Sequence, residues 1–208
     1  MIKRWSNALA LDQHDNHYQQ LYADIDGFAL SRLARMPHDA MEYTYGEIDF
    51  ISFIALLSLT HPDTNTIFYD LGSGTGKAVV ATAMVFNVQK SAGIELFNTL
   101  HQAAVKQQQR LQQHPDYQGN AHAIHFINAD FLHHDFSDAT LIFINATALF
   151  GETWIALNQR LTETKPGTTI ITTSKKLKSD AFIVKKMTPV SMSWGRVNAY
   201  IQQRVPGR

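Results

Sequence analysis

Thr66-Ile67-Phe68-Tyr69-Asp70-Leu71-Gly72-Ser73-Gly74-Thr75-Gly76 reads as a strand that runs into a glycine turn. The β-branched and aromatic run Thr66–Tyr69 favours a buried strand, which Asp70 closes. Gly72, Gly74 and Gly76 follow at every second position. Glycines at that spacing let the backbone turn sharply and let a ligand approach bare main chain. Lys77 to Phe86 is then an Ala-rich apolar run of helical length. Strand, glycine turn and helix in that order make a nucleotide-type pocket at a helix N-terminus.

Spacing separates three glycine-rich patterns. A phosphate-binding P-loop, G-x-x-x-x-G-K-[ST], would need glycine where Leu71 stands and a hydroxyl where Ala78 stands. A dinucleotide fingerprint, G-x-G-x-x-G, would need glycine at Lys77. Both readings fail. Asp70-Leu-Gly-Ser-Gly-Thr-Gly76 instead resembles the D-x-G-x-G-x-G loop of the class I S-adenosylmethionine-dependent methyltransferases at every defined position. A sulfonium cofactor carries no phosphate, so its loop needs close backbone approach more than positive charge. A carboxylate such as Asp70 can receive the methionyl ammonium, or a water held by it. A tight turn in an ordinary α/β domain is the alternative.

Downstream residues fall where such a sheet places its ligands. Ala92-Gly-Ile-Glu95 is a short apolar segment ending in an acid that can accept both ribose hydroxyls, with Leu96 beside it. A solvated strand end is the other reading of Glu95. His125-Phe-Ile-Asn-Ala-Asp130-Phe131 reads as a third strand. Asp130 can accept from the adenine amino group while Phe131 packs on the ring, or the aspartate can simply cap a helix after the strand. Ala139 to Asn145 is an apolar strand ending in a carboxamide. Strand C-termini line the crevice of a doubly wound sheet, so Asn145 should face the transferred methyl.

Composition bounds the rest. At 208 residues and 45% hydrophobic, the chain fits one α/β domain with a helical N-terminal extension. The expected division is residues 1–60 as extension and cofactor-covering loop, and 61–208 as the sheet domain, both within one domain. No apolar run approaches the ~18–20 residues of a membrane span. Asp12, His14, Asp15 and Asn16 interrupt any secretory core, and there are no cysteines, so a reducing, cytoplasmic setting is expected. Eighteen acids balance eighteen Lys plus Arg, which argues against an extended nucleic-acid surface. The best histidine clusters, His122/His125 and His133-His134, point their side chains apart if extended, so no metal site is expected.

The pattern along the chain predicts helix over most of 6–35, broken at Met36-Pro-His-Asp39, and a second apolar helix from Ile48 to Leu59. Strands near 66–70, 91–95, 123–128, 139–145 and 167–173 then alternate with helices near 76–87, 97–113 and 151–163. The run Gln107–Gln113 reads as a solvated helix face, and Val190–Arg204 as a closing antiparallel hairpin around Trp194-Gly195. The sum is an α/β, doubly wound, mostly parallel Rossmann-like sheet of seven strands.

Three further pieces extend the resemblance: Tyr45-Gly46-Glu47, Asn145 with Phe150-Gly151-Glu152, and Ser191-Met-Ser-Trp194 followed by Tyr200. With Asp70–Gly76, Glu95 and Asp130-Phe131, this order is similar to the catalytic domain of the disruptor-of-telomeric-silencing histone lysine methyltransferases, across about residues 43–204. The resemblance implies S-adenosyl-L-methionine as cofactor and S-adenosyl-L-homocysteine as product. It implicates Tyr45 and Glu47 in a loop over the cofactor, with Asp70, Gly72, Ser73, Gly74, Thr75, Gly76, Glu95, Leu96, Asp130, Phe131 and Asn145 around it. It also implicates Asn145, Trp194 and Tyr200 in a channel for a protein lysine. Plain hairpin packing is the other reading of Trp194 and Tyr200.

This sequence departs from that family in places. The family's paired asparagines and its proline after Phe-Gly are replaced by Asn145-Ala146-Thr147 and Gly151-Glu152. Its basic nucleosome-binding extension has no equivalent. Lys175, Lys176, Lys178, Lys185 and Lys186 form the densest basic patch, a solvated edge or a dock. Small-molecule or RNA methylation, and cofactor binding without turnover, are the alternative functions. Oligomeric state is not readable from the sequence.

Overall fold

Apolar segments form a seven-stranded sheet whose two faces are covered by helices. The computed structural model describes residues 2–36 and 45–206; positions 37–39 of the expected break lie outside them. The helices are α1 (Ile2–Ala8), α2 (Leu11–Leu21), α3 (Gly27–Ala34), α4 (Phe50–Ser58), α5 (Lys77–Val85), α6 (Asn98–Gln112), α7 (Gln118–Ala121) and α8 (Gly151–Leu161). The strands are β1 (Ile67–Leu71), β2 (Lys90–Glu95), β3 (Ile124–Asn128), β4 (Leu141–Ile144), β5 (Thr169–Thr173), β6 (Phe182–Met192) and β7 (Gly195–Arg204).

Their order is β3-β2-β1-β4-β5-β7-β6. The first five run parallel, and β7 lies antiparallel between β5 and β6. The winding reverses between β1 and β4, which opens a crevice at the carboxyl ends of those strands. One face carries Phe53, Phe68, Val79 and Phe143 in a core shared with Leu11, Tyr18 and Tyr22 of α2 and its C-cap. The other packs Ile142, Ile144 and Ile170 against Trp154, Leu157 and Leu161 of α8. Each such side chain, buried in full, contributes roughly 1.5–3 kcal/mol.

Four details differ from the sequence expectation. The N-terminal helix is three helices, broken at Ala10, which has φ 48°, and again before Asp26, whose carboxylate caps α3 by accepting from Ala29 N. Ile48 is not helical; it bridges Met192 of β6. The glutamine run is not wholly solvated, since Gln107 is buried and Gln108 donates to the Ala121 and Ile124 carbonyls. The hairpin starts at Phe182 rather than Val190. Residues 183–187 are all exposed and the register shifts between Val184 and Lys186, so the two-residue alternation that marks a strand is lost there.

The basic patch divides. Lys176, Lys178, Lys185 and Lys186 are exposed, while Lys175 is half-buried, donates to the Leu149 carbonyl and lies 4.1 Å from the Phe150 ring centre.

Candidate cofactor site

Strand β1 delivers Asp70 to the crevice and the chain then doubles back over β2. Gly72 N and Ser73 N both donate to the Ile94 carbonyl, at 2.9 and 3.0 Å, which pins the loop to the neighbouring strand. Gly74 has φ 55°, a backbone state costly for a side chain. A Cβ there would lie 2.6 Å from the Tyr45 ring, and its N–H donates to Glu95 Oε2 at 2.8 Å. Phe97 N donates to Glu95 Oε1, also at 2.8 Å. The Glu95 carboxylate is therefore fixed by main-chain donors, with lone pairs left for a ligand.

Burial raises the Glu95 pKa, opposed by the N–H groups of Phe97, Gly74 and Leu96. Among the described residues, Asp70 has no such donors. Burial, and then the charge of Glu95, push its carboxyl up to about 8. A neutral acid at that position becomes a carboxylate when a cation settles beside it.

The segment 45–49 forms a roof. Glu47 N donates to Ser193 Oγ, Ser193 N to the Glu47 carbonyl and Asp49 N to the Ser191 carbonyl, tying the roof to the end of β6. Tyr45 Oη donates to Glu47 Oε1 at 2.7 Å and lies 2.9 Å from Thr75 Oγ1. Burial, and then the Glu47 charge, hold the Tyr45 phenol well above its usual range, so it remains a donor. Lys77, the first residue of α5, donates to Glu47 Oε2 at 2.6 Å. Asn145, at the end of β4, donates from Nδ2 to the Gly46 carbonyl at 3.1 Å and accepts from Thr173 Oγ1 at 2.8 Å.

Of the residues named from the sequence, Tyr45, Glu47, Asp70, Gly72, Ser73, Gly74, Glu95, Leu96, Asp130, Phe131 and Asn145 all line one pocket. Phe97, Leu100 and Leu132 complete an apolar slot beside Phe131. Asp130 Oδ1 accepts from Leu132 N at 2.8 Å, so its capping role holds while it also borders the slot. Four named residues stand elsewhere. Thr75 is buried behind the loop, where its carbonyl and hydroxyl hold Tyr22 and Tyr45. Gly76 packs under the Phe126 ring. Trp194 is 45% exposed and lays its ring on Gly46, outside the roof. Tyr200 lies opposite Thr172, and Ala199 opposite Thr173. Opposed residues share a sheet face, so Tyr200 points away from the face where Thr173 holds Asn145.

Sequence reading missed Lys77 and Ser31, which also line the pocket. Lys77 was legible only as a helix start, because its partner Glu47 lies thirty residues away. Neither histidine pair named from the sequence gathers a metal-type cluster among the described residues; His17, His114 and Asp116 come together there instead.

The family of the histone methylation protein DOT1 matches residues 35–199. The chain belongs to this family. A relative from Caenorhabditis elegans, "Histone-lysine N-methyltransferase, H3 lysine-79 specific", is 32% identical over 139 residues. That stretch is 64% of this chain and 15% of the relative, so the match covers a small part of that protein. Among solved structures, an RNA methyltransferase from Salinibacter ruber in complex with S-adenosyl-L-homocysteine has a TM-score of 0.60 at 21% identity, covering 75% of this chain and 92% of that one. A SAM-dependent methyltransferase from Thiobacillus denitrificans, also with S-adenosyl-L-homocysteine, has a TM-score of 0.54 at 14% identity, covering 79% and 73%. These likenesses establish the fold. The DOT1-family chain is thus of the class I methyltransferase type, and its cofactor is S-adenosyl-L-methionine. The residues present fit that group: the buried carboxylates Asp70 and Glu95, the apolar slot beside Phe131 and the Lys77 ammonium all line one pocket. Among the described residues, no helix is long and apolar enough to cross a membrane.

Proposed function

We propose that this chain transfers a methyl group from S-adenosyl-L-methionine to a lysine side chain of a protein. The observation that carries the reading is the Asn145–Gly46 bond. It ties the end of β4, where a methyl acceptor would enter, to the roof over the glycine loop. The lysine specificity in the name of the Caenorhabditis elegans relative supports the choice of acceptor.

When bound, the cofactor would supply an electrophilic methyl on a sulfonium, open to in-line attack by an amine nitrogen with the neutral thioether as leaving group. Asp70 is suited to the methionyl ammonium, Glu95 to the ribose diol, and Phe131 with Leu96 to the adenine faces. Asp130 keeps one oxygen for the adenine amino group. Lys77, which lines the pocket at the start of α5, is suited to the methionyl carboxylate. Beyond Asn145, the pocket wall is Ile48, Phe143 and Leu149. An apolar wall disfavours the ammonium form of an entering lysine, so the amine can react without a dedicated base. Orientation then supplies most of the acceleration. Trp194 on Gly46 becomes an outer support of this channel, and Tyr200 has no part in it. Residues 1–60 belong to the same domain in this reading, since Leu11, Tyr18 and Tyr22 share a core with the sheet.

Methyl-labelled cofactor incubated with the chain and a host lysate is expected to leave alkali-stable label on protein lysines. Label confined to RNA or to small molecules would overturn the lysine assignment, and cofactor binding with no transfer to any fraction would make the chain a binding protein.

A further inference from the structure

Helix α3, in the N-terminal extension, carries a serine whose hydroxyl is placed as if for a ligand. Ser31 is 1% exposed, and among the described residues its Oγ has no hydrogen-bond partner, not even a carbonyl of its own helix. A buried hydroxyl left unpaired destabilises the fold that holds it. Ser31 nevertheless lines the cofactor pocket. Ser73 Oγ is also unpaired, but it is turned down against β2, where a Cβ on Gly93 would lie 2.6 Å from it.

Contacts around Ser31 locate it within the pocket. A Cβ on Gly27 would lie 2.5 Å from Tyr45 Oη, and one on Gly74 would lie 2.6 Å from the same ring. Tyr45 is thus held between α3 and the glycine loop. Ser31 stands one turn after Gly27, on the same helix face. Helix α3 also packs against α6, whose N-cap Phe97 and first-turn Leu100 line the pocket. Phe97 N and Gly74 N are the two donors that fix Glu95. Ser31 thus lines the pocket on the Tyr45 side, where the Gly74 amide beneath that ring holds Glu95.

Glu95 only accepts hydrogen bonds. Sugar hydroxyls that donate to it keep their own acceptor lone pairs, and in a desolvated pocket those need a donor. We propose that Ser31 Oγ donates to a ribose hydroxyl of the cofactor, which makes α3 part of the nucleoside site. Its chemistry rests on the methyl-donor reading of the pocket given above.

Titration calorimetry with S-adenosyl-L-homocysteine, adenosine and methionine tests it on wild type and Ser31→Ala. The variant is expected to bind the first two roughly tenfold more weakly, the loss of one buried hydrogen bond, with methionine unchanged. Its ligand-free melting temperature should be equal to or above that of wild type, because an unsatisfied hydroxyl has been removed. Unchanged affinity for both nucleosides would overturn the proposal, as would weaker binding that tracks a fall of several degrees in ligand-free melting. Weaker S-adenosyl-L-homocysteine binding with adenosine unaffected would overturn the ribose assignment. Failure of wild type to bind any of the three would sink the methyl-donor reading itself.

Discussion

The two halves of the pocket are built in different ways. On the loop half, residues 70–76 and 95–97 are short contiguous pieces, and the main chain makes the bonds: Gly72 and Ser73 to Ile94, Gly74 and Phe97 to Glu95. On the roof half, side chains join distant segments: Asn145 to Gly46, Lys77 to Glu47, Ser193 to Glu47. Backbone bonds tolerate any side chain that permits the turn, whereas each of the others depends on one residue. The loop half should therefore break as a unit, and the roof half piece by piece.

Gly74→Ala should have the largest effect. A Cβ would strain a φ of 55° and strike the Tyr45 ring, at a cost of roughly 2–3 kcal/mol. Calorimetry should find S-adenosyl-L-homocysteine affinity reduced at least thirtyfold; affinity within a factor of three would refute a close-packed roof.

Asp70 gives the next effect, and its sign can be worked out. Its pKa is about 8 folded and roughly 3.9 unfolded, so between those values the folded state alone holds the proton. This group's contribution is fully present below about pH 4 and is lost as pH rises toward 8. Denaturant titrations of ligand-free protein should show that loss, and Asp70→Asn should flatten it. A cationic ligand reverses the preference. Its association constant should rise with pH up to about 8 and then level, and in Asp70→Asn the slope should vanish.

Asn145→Ala should slow turnover ten- to a hundredfold while cofactor affinity changes less than threefold, because the loop bonds remain. Normal turnover would move the reacting centre away from β4. The smallest effect belongs to Glu47–Lys77, half-shielded at 17% and 23% side-chain exposure. A double-mutant cycle of Glu47→Gln and Lys77→Met, read by thermal denaturation, should give a coupling of about 1 kcal/mol.

The same division explains what the sequence revealed. The glycine loop, Glu95 and the Asp130-Phe131 pair were readable because strand end and ligand residue are one local pattern. Strands β1 and β4 were readable because both faces are covered, which leaves largely apolar runs. The start of β6 was not, since an edge strand that carries Lys185 and Lys186 looks like solvated chain. Tyr200 does not reach the channel its motif implies, because the motif gives a position along β7 but not a face, which the pairing with Thr172 sets. Ser31 and Lys77 left no signal of their own. Their surroundings come from segments brought together only by the fold.

The bond pair between 47–49 and 191–193, with the Trp194 ring laid on Gly46, also has a thermodynamic consequence. The roof over the glycine loop is tied to the exposed hairpin tip, so a partner whose binding at Trp194 depended on the roof's position would change cofactor affinity. By reciprocity the cofactor would then change that partner's affinity by the same factor.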